Sequence, residues 1–228
     1  MNIKLLAAAA ASLLANAAMA QSAFEGFYGQ VGIGYASTSP TTSNVTRTRS
    51  TGTTYSGGNV DYGTSGDAVG TITLGYMASI TDKFLLGVGV EYSHIDGSWN
   101  DATFKAQNGN TNAGQFKMTN QYNIFLSPAY AVDKDKLVYA KVGYTQANMA
   151  VDFPGNDSSH TPSGYSLGLG YKQIFTGGWY GFVEGNYYSY SDQKFSNNGT
   201  TVNGTPYAQS LDISSNDYNI MVGVGYKF

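Results

Sequence analysis

Phe27-Tyr28-Gly29-Gln30-Val31-Gly32-Ile33-Gly34-Tyr35 reads as one strand with two unlike faces. Phe27, Gly29, Val31, Ile33 and Tyr35 fall on one side, while Tyr28, Gln30, Gly32 and Gly34 fall on the other. Alternation with period two marks extended backbone. The first face is apolar and carries an aromatic at each end. Eight residues at about 3.3 Å each, tilted by roughly 40°, climb on the order of 20 Å. That is most of an apolar band about 25 Å tall with aromatics at both borders.

The unit recurs along the chain. The apolar or small positions are Ala68, Gly70, Ile72, Leu74 and Tyr76; Phe84, Leu86, Val88, Val90 and Tyr92; and Tyr122, Ile124, Leu126, Pro128 and Tyr130. They continue with Val138, Ala140, Val142 and Tyr144; Tyr165, Leu167, Leu169 and Tyr171; Trp179, Gly181, Val183, Gly185 and Tyr187; and Tyr218, Ile220, Val222, Val224, Tyr226 and Phe228. With the first, these make eight strands, the even count of a bacterial membrane barrel. An aromatic girdle is expected from Phe27, Tyr35, Phe84, Tyr92, Tyr122, Tyr130, Tyr165, Tyr171, Trp179, Tyr187, Tyr218 and Tyr226. Pro128 on the outward face calls for a bulge or a missing ladder bond.

The connections alternate in length. Ser79–Asp82, Asp133–Lys136 and Thr176–Gly178 are tight hairpin turns. Residues 37–66, 95–115, 152–163 and 191–214 are long, rich in Ser, Thr, Asn and Gly, and expected to be polar loops. Short turns at one end and long loops at the other distinguish a membrane barrel from a soluble sandwich. The expected fold is all-β: an eight-stranded antiparallel transmembrane up-and-down β-barrel with short periplasmic turns and long extracellular loops. Lipid offers an open sheet edge no hydrogen bonds, so strand eight must pair with strand one.

Met1–Ala20 has a single early cation, Lys4, then an apolar run, and ends Ala18-Met19-Ala20. This is the pattern of a cleaved signal peptide, which leaves residues 21–228 as the barrel domain. Its apolar core is shorter than the roughly 20 residues a spanning helix needs. Composition agrees with export to a membrane. Charged residues are 12% of the chain, against about 25% in a soluble domain. The net charge of −3 and only two arginines, Arg47 and Arg49, leave no basic surface for nucleic acid. With no cysteine there is no disulfide or thiolate chemistry.

The chain resembles the small eight-stranded outer-membrane barrels, the group of the OmpA transmembrane domain, OmpX and the opacity-type adhesins. The resemblance covers essentially all of residues 21–228. It rests on the strand and loop pattern, on units such as Val31-Gly32-Ile33-Gly34-Tyr35 and Gly168-Leu169-Gly170-Tyr171, and on the closing Tyr218 to Phe228. It implies an outer-membrane location and a C-terminal signal, Val222, Val224, Tyr226 and Phe228, read by the barrel-assembly machinery. It also implies contact with outer-membrane lipid and lipopolysaccharide. No segment here matches the peptidoglycan-binding domain that follows the OmpA barrel, so a cell-wall anchoring role is not expected.

If the apolar residues face lipid, Glu91, Lys141 and Glu184 face a lumen only wide enough for side chains to fill. Buried charge is tolerable when paired, so Lys141 is expected to bridge one or both carboxylates. A proton or ion relay is the alternative reading of the trio. Lys172 and Lys227 also point inward, but near the periplasmic mouth, where solvation is expected. Arg47 and Arg49 are candidate anion contacts, for lipopolysaccharide phosphates or an anionic polysaccharide; the competing and favoured reading is a flexible, solvated hairpin tip. Loop four, Asn197–Thr201, is polar and names no partner.

Catalysis is not expected. The histidines are His94 and His160 alone. Ser93 and His94 point to opposite faces and cannot form an acyl-transfer pair in one register. His160 is expected to be a solvated loop residue. The Gly-x-Gly steps at Gly32, Gly87, Gly168 and Gly223 open no helix, so they bind no dinucleotide. Asp96 with Asp101, or Asp61 with Asp67, lacks a calcium-binding ligand series, and no metal or cofactor is expected. The expected function is that of a monomeric structural or surface-interaction platform acting through its loops on an unidentified extracellular ligand. The alternatives are a narrow porin-like pore and, on His94 alone, a lipid-modifying enzyme.

Overall fold

The computed structural model describes residues 22–56, 59–61, 65–95, 100–105, 111–153, 156–200 and 204–228. The expected signal peptide and Asp96 lie outside them. Eight long strands form the wall. Strand one is Gly26–Arg49, two Ser65–Ser79, three Phe84–Ile95, four Thr111–Asp133, five Lys136–Phe153, six Ser163–Thr176, seven Trp179–Thr200 and eight Pro206–Lys227. Each pairs antiparallel with the next. Strand one closes the ring on strand eight from Tyr28↔Lys227 to Arg49↔Tyr207. No helix among the described residues is long and apolar enough to cross a membrane.

The turns at one end follow from their sequences. Strands six and seven are joined by Gly177 and Gly178, both at positive φ (53° and 87°), the pair a two-residue hairpin requires. Between strands two and three, Thr81 Oγ1 accepts the Phe84 amide at 3.0 Å. Between four and five, Asp133 accepts the Lys134 amide at 2.8 Å and meets Lys136 Nζ at 3.4 Å. Together these bonds hold the Asp133 carboxyl below the ordinary carboxylate range, the Lys134 amide contributing most.

The other end departs from expectation. Most of residues 37–66, 95–115, 152–163 and 191–214 is strand rather than loop. Strand one runs on to Arg49, strand seven to Thr200, and strand eight starts at Pro206. Short strands Thr54–Ser56, Asn59–Asp61, Asn100–Lys105 and Asn156–His160 extend the wall further. The cause is alternation that survives in polar composition: Leu211, Ile213 and Ser215 are buried while Asp212 and Ser214 between them are not. Asn44 and Asn120, both at positive φ (52° and 46°), sit inside two register shifts, Ser43/Thr46 and Thr119/Gln121. Asparagine tolerates this conformation, and a bulge adds local twist where the wall leaves the bilayer. Pro128 makes no bulge. The pairing of strands four and five skips Ser127 and Pro128 and resumes in the same register at Ala129↔Tyr139.

The apolar face points outward. Phe27, Ile33, Tyr35, Ile124, Leu169 and Ile220 are each more than half exposed, which is stable only against lipid. The girdle forms two belts. At the turn end Phe27 packs on Tyr76, Phe84 on Tyr130 and Trp179 on Tyr226, with ring centroids 4.8 to 5.2 Å apart. Tyr171 lies at that end, opposite Val138 and Val183. At the other border Tyr92 meets Tyr122, and Tyr165, Tyr187 and Tyr218 follow one another around the wall. Tyr35 stands on that side too, opposite Ala68.

Candidate functional site

The inward residues build a filled lumen in three levels. The middle level is polar. Lys141 on strand five donates to Glu91 Oε2 on strand three and Glu184 Oε1 on strand seven, each at 2.9 Å. Strands three and seven stand opposite each other in a ring of eight, so the lysine ties the two halves of the wall across the axis. All three side chains are buried. The carboxylates have further donors. Thr73 Oγ1 donates to Glu91 at 2.9 Å, and Tyr139 Oη and Asn186 Nδ2 donate to Glu184 at 2.7 and 2.8 Å.

The bonds form a closed circuit. Asn186 donates to Asn219 Oδ1 at 2.8 Å, Asn219 donates to Tyr188 Oη at 3.4 Å, and Tyr188 returns to Glu91 Oε1 at 3.5 Å. The Lys141 ammonium also sits 4.4 Å from the centre of the Phe125 ring. Such satisfaction is what a low-dielectric interior demands of a buried charge.

Lys172 corrects an expectation. It is buried, not solvated. Its ammonium lies 4.0 Å from the Tyr28 ring centre, 4.9 Å from Tyr180 and 5.0 Å from Tyr139, a cage of three aromatic faces. Each tyrosine lies over the glycine opposite it on the neighbouring strand: Tyr28 over Gly75, Tyr139 over Gly170 and Tyr180 over Gly225. A Cβ at any of these glycines would fall within the ring's van der Waals radius. Tyr139 joins the cage to Glu184 through its hydroxyl.

Apolar levels close both ends. Towards the turns Phe24, Met77, Leu85, Ala129, Ala131 and Leu137 pack together. Towards the long hairpins Val45, Phe116, Met118, Ala147, Met149, Leu211 and Ile213 do the same with Tyr188 and Tyr190. Between that layer and the charge circuit Gln121 donates to Tyr190 Oη at 2.6 Å. Asp217 is buried there too: Ser215 Oγ donates to its Oδ1 at 2.9 Å, and Oδ2 has no hydrogen-bond partner. Continuing the alternation of strand eight one step below Tyr218 exposes this inward acid in the sequence.

The remaining candidates separate. His94 is exposed and its Nδ1 lies 3.0 Å from Asn120 Oδ1, which also accepts from Tyr92 Oη at 2.9 Å. Ser93 is buried on the opposite face. His160 is half-buried with its ring 4.4 Å from Phe195, not a solvated loop residue. Arg47 lies within strand one. Its Nε and Nη2 donate to Gln209 Oε1 at 3.3 and 2.8 Å and its guanidinium stacks 4.4 Å from the Tyr207 ring. Arg49 pairs opposite Tyr207. Phe228 is exposed and packs on Tyr226, its amide bonded to the Phe27 carbonyl. Val222 and Val224 face outward above it. No metal-holding group of three His, Cys, Asp or Glu occurs among the described residues.

The outer membrane protein beta-barrel domain family matches residues 6–228. The chain belongs to that family. OprG of Pseudomonas aeruginosa superposes with a TM-score of 0.60 at 18% identity, over 90% of this chain and 96% of that one. Neisserial surface protein A gives 0.44 at 21% identity, over 90% and 98%. Ail of Yersinia pestis gives 0.38 at 14% identity, over 90% and 99%. A comparison with curated proteins gave no match. The likeness to OprG shows the fold, and family and fold together place the protein in the bacterial outer membrane.

Proposed function

We propose that this protein is a closed-lumen barrel that serves as a structural and surface-interaction platform, working through the hairpins that rise beyond the membrane. One observation carries the reading: Lys141 is ion-paired across the axis to Glu91 and Glu184, with packed apolar levels on either side. A solute path would have to break that circuit, and breaking a buried ion pair costs about 3–5 kcal/mol. The hairpins of strands one, seven and eight continue 12 to 14 residues past Tyr35, Tyr187 and Tyr218. At about 3.3 Å per residue and a tilt near 40° they project on the order of 30 Å, enough to meet other molecules.

A catalytic role finds no support at His94, whose Nδ1 faces an amide and whose serine neighbour is on the other face. The test is conductance of the folded protein in planar bilayers. A closed lumen gives no stable single-channel steps, and uniform openings from purified protein would overturn the platform reading. Solute flux into proteoliposomes reads the porin-like alternative in the same way.

A further inference from the structure

We propose that Met118, Met149 and His160 form a binding site for a soft monovalent cation, copper(I), at the outer end of the lumen. The first observation is register. Met118 on strand four stands directly opposite Met149 on strand five, and Met149 stands directly opposite His160 on the short strand Asn156–His160. Residues directly opposite one another share a face of the sheet, with Cβ atoms about 4.5–5.5 Å apart. Both methionines are buried in the outer apolar layer, and the His160 ring packs on Phe195, which lies against that layer, so the row faces inward. Its members come from three adjacent strands and from distant points in the sequence, so no local motif announces them.

The second observation is an orphaned atom. His160 Nδ1 is buried and has no hydrogen-bond partner. A buried polar atom of this kind calls for a partner, and neutral imidazole is a common metal ligand. The third is the chemistry of the set. Thioether sulfur and imidazole suit copper(I), whereas calcium and magnesium take oxygen ligands. Zinc sites are built from thiolate, imidazole and carboxylate, and this row holds one such group, His160. A monovalent ion also brings the least charge into an apolar layer. Asp217, whose Oδ2 has no partner, lies between that layer and the charge circuit and supplies one opposite charge.

The row can close on a metal without moving the wall, because methionine has three rotatable bonds and adapts to irregular space. His160 is fixed at the foot of its hairpin, where the Ala147 amide donates to the Pro162 carbonyl at 3.1 Å. Bound metal ties Asn156–His160 to strands four and five and stabilises the hairpins above the apolar layer. The site goes beyond the platform reading and does not depend on it.

The test uses the full-length folded protein in phosphatidylcholine nanodiscs, with the methionine methyl groups labelled with carbon-13. Copper(I) is added as its acetonitrile complex, without oxygen or chloride, and silver(I) nitrate serves as a redox-silent substitute. The expected result is saturation at one equivalent, with the methyl signals of Met118 and Met149 moving and those of Met77 and Met221 fixed. Amide exchange in Asn156–His160 should slow at saturating metal. In calorimetric titration His160→Phe, which keeps a ring against Phe195, should weaken binding at least tenfold. Met149→Leu, at the centre of the row, should do the same, and His94→Gln should bind like the parent. Heat-dependent gel mobility reports that each variant is folded, and the methyl spectra of the parent carry the test without any variant.

Unmoved Met118 and Met149 signals, or a His160→Phe protein that binds like the parent, would overturn the proposal. Zinc(II) moving the same signals with equal affinity would overturn the assignment of copper(I). Bilayer conductance reads the platform assignment separately, so a closed barrel that binds neither copper(I) nor silver(I) would sink this inference alone.

Discussion

Replacing Lys141 with Met tests the circuit at its centre. Methionine keeps much of the stem that packs beside Phe125 and removes the ammonium that meets Glu91 and Glu184 at 2.9 Å each. Two buried carboxylates then face the lumen without a cation between them. Removing one partner of a buried pair costs about 3–5 kcal/mol, a factor of roughly 10² to 10³ or more in the folding equilibrium. With a urea slope of about 2–3 kcal/mol/M the midpoint should fall by roughly 1 to 2.5 M. The assay is reversible unfolding in phosphocholine vesicles, followed by Trp fluorescence and by heat-dependent gel mobility. Neutralising the acids as well, in Glu91→Gln/Lys141→Met/Glu184→Gln, should recover at least half of the loss, because the penalty is the stranded charge. A loss below about 1 kcal/mol, or a triple variant no more stable than Lys141→Met, would refute the argument.

Further outcomes are expected around this centre. Asp217→Asn should be neutral or stabilising at pH 7, by up to about 2 kcal/mol, since it removes a buried charge whose Oδ2 is unpartnered and keeps the Ser215 bond; a loss of stability in urea titration would contradict this. Gly170→Ala should destabilise by about 1–3 kcal/mol through overpacking, because its methyl group meets the Tyr139 ring, and Tyr139→Leu in the same chain should ease that strain in an unfolding series. In the Asp133 turn the folded carboxyl titrates below its unfolded value. The stability it contributes is therefore present above the unfolded pKa of about 3.9 and is lost as pH falls through the lower folded value. Carboxyl NMR of Lys136→Met should show Asp133 titrating closer to its ordinary value.

What could be read from the sequence depended on whether a signal was local. Period two and the eight-residue spacing of border aromatics, as in Phe27 to Tyr35, are properties of one strand, so both faces of the wall were legible. So was the sharing of the lumen by Glu91, Lys141 and Glu184, because an inward position follows from parity alone. The cage around Lys172 was not legible. Its rings come from strands one, five and seven, and only the shear of the closed ring sets their heights relative to strand six. Lys172 looked like a residue at the mouth because strand position suggests depth, but three tyrosines seated over glycines fill the space around it. The hairpins were misread for a different reason. Ser, Thr and Asn are weak strand signals, and the alternation of Leu211 and Ile213 was hidden by the polar residues around it.

The same parity argument separates the two ends of the molecule chemically. Within the membrane the inner face bonds Lys141 to Glu91 and Glu184 and sets Lys172 among three tyrosine rings, all held away from water. Past the second aromatic belt the inner face first turns apolar, at Ile213, Leu211 and Val45, and then presents Arg47 and Arg49. A wall built only for stability in lipid has no use for strands that continue 12 to 14 residues beyond the girdle. Ordering each of those residues costs roughly 1–2 kcal/mol of conformational entropy, and the apolar layer below the arginines offsets it by packing the hairpins against one another. That layer therefore does two things at once: it packs the outer end of the lumen, and it supports the rim of hairpins that carries Arg47 and Arg49. Replacing Ile213 with Ser, at the base of this layer, should accordingly loosen the rim and leave the charge circuit below intact. Amide exchange would read this as lost protection in Gln209–Ile213 with protection retained at Glu184 and Lys141, and equal loss at both levels would show that the two are a single cooperative unit.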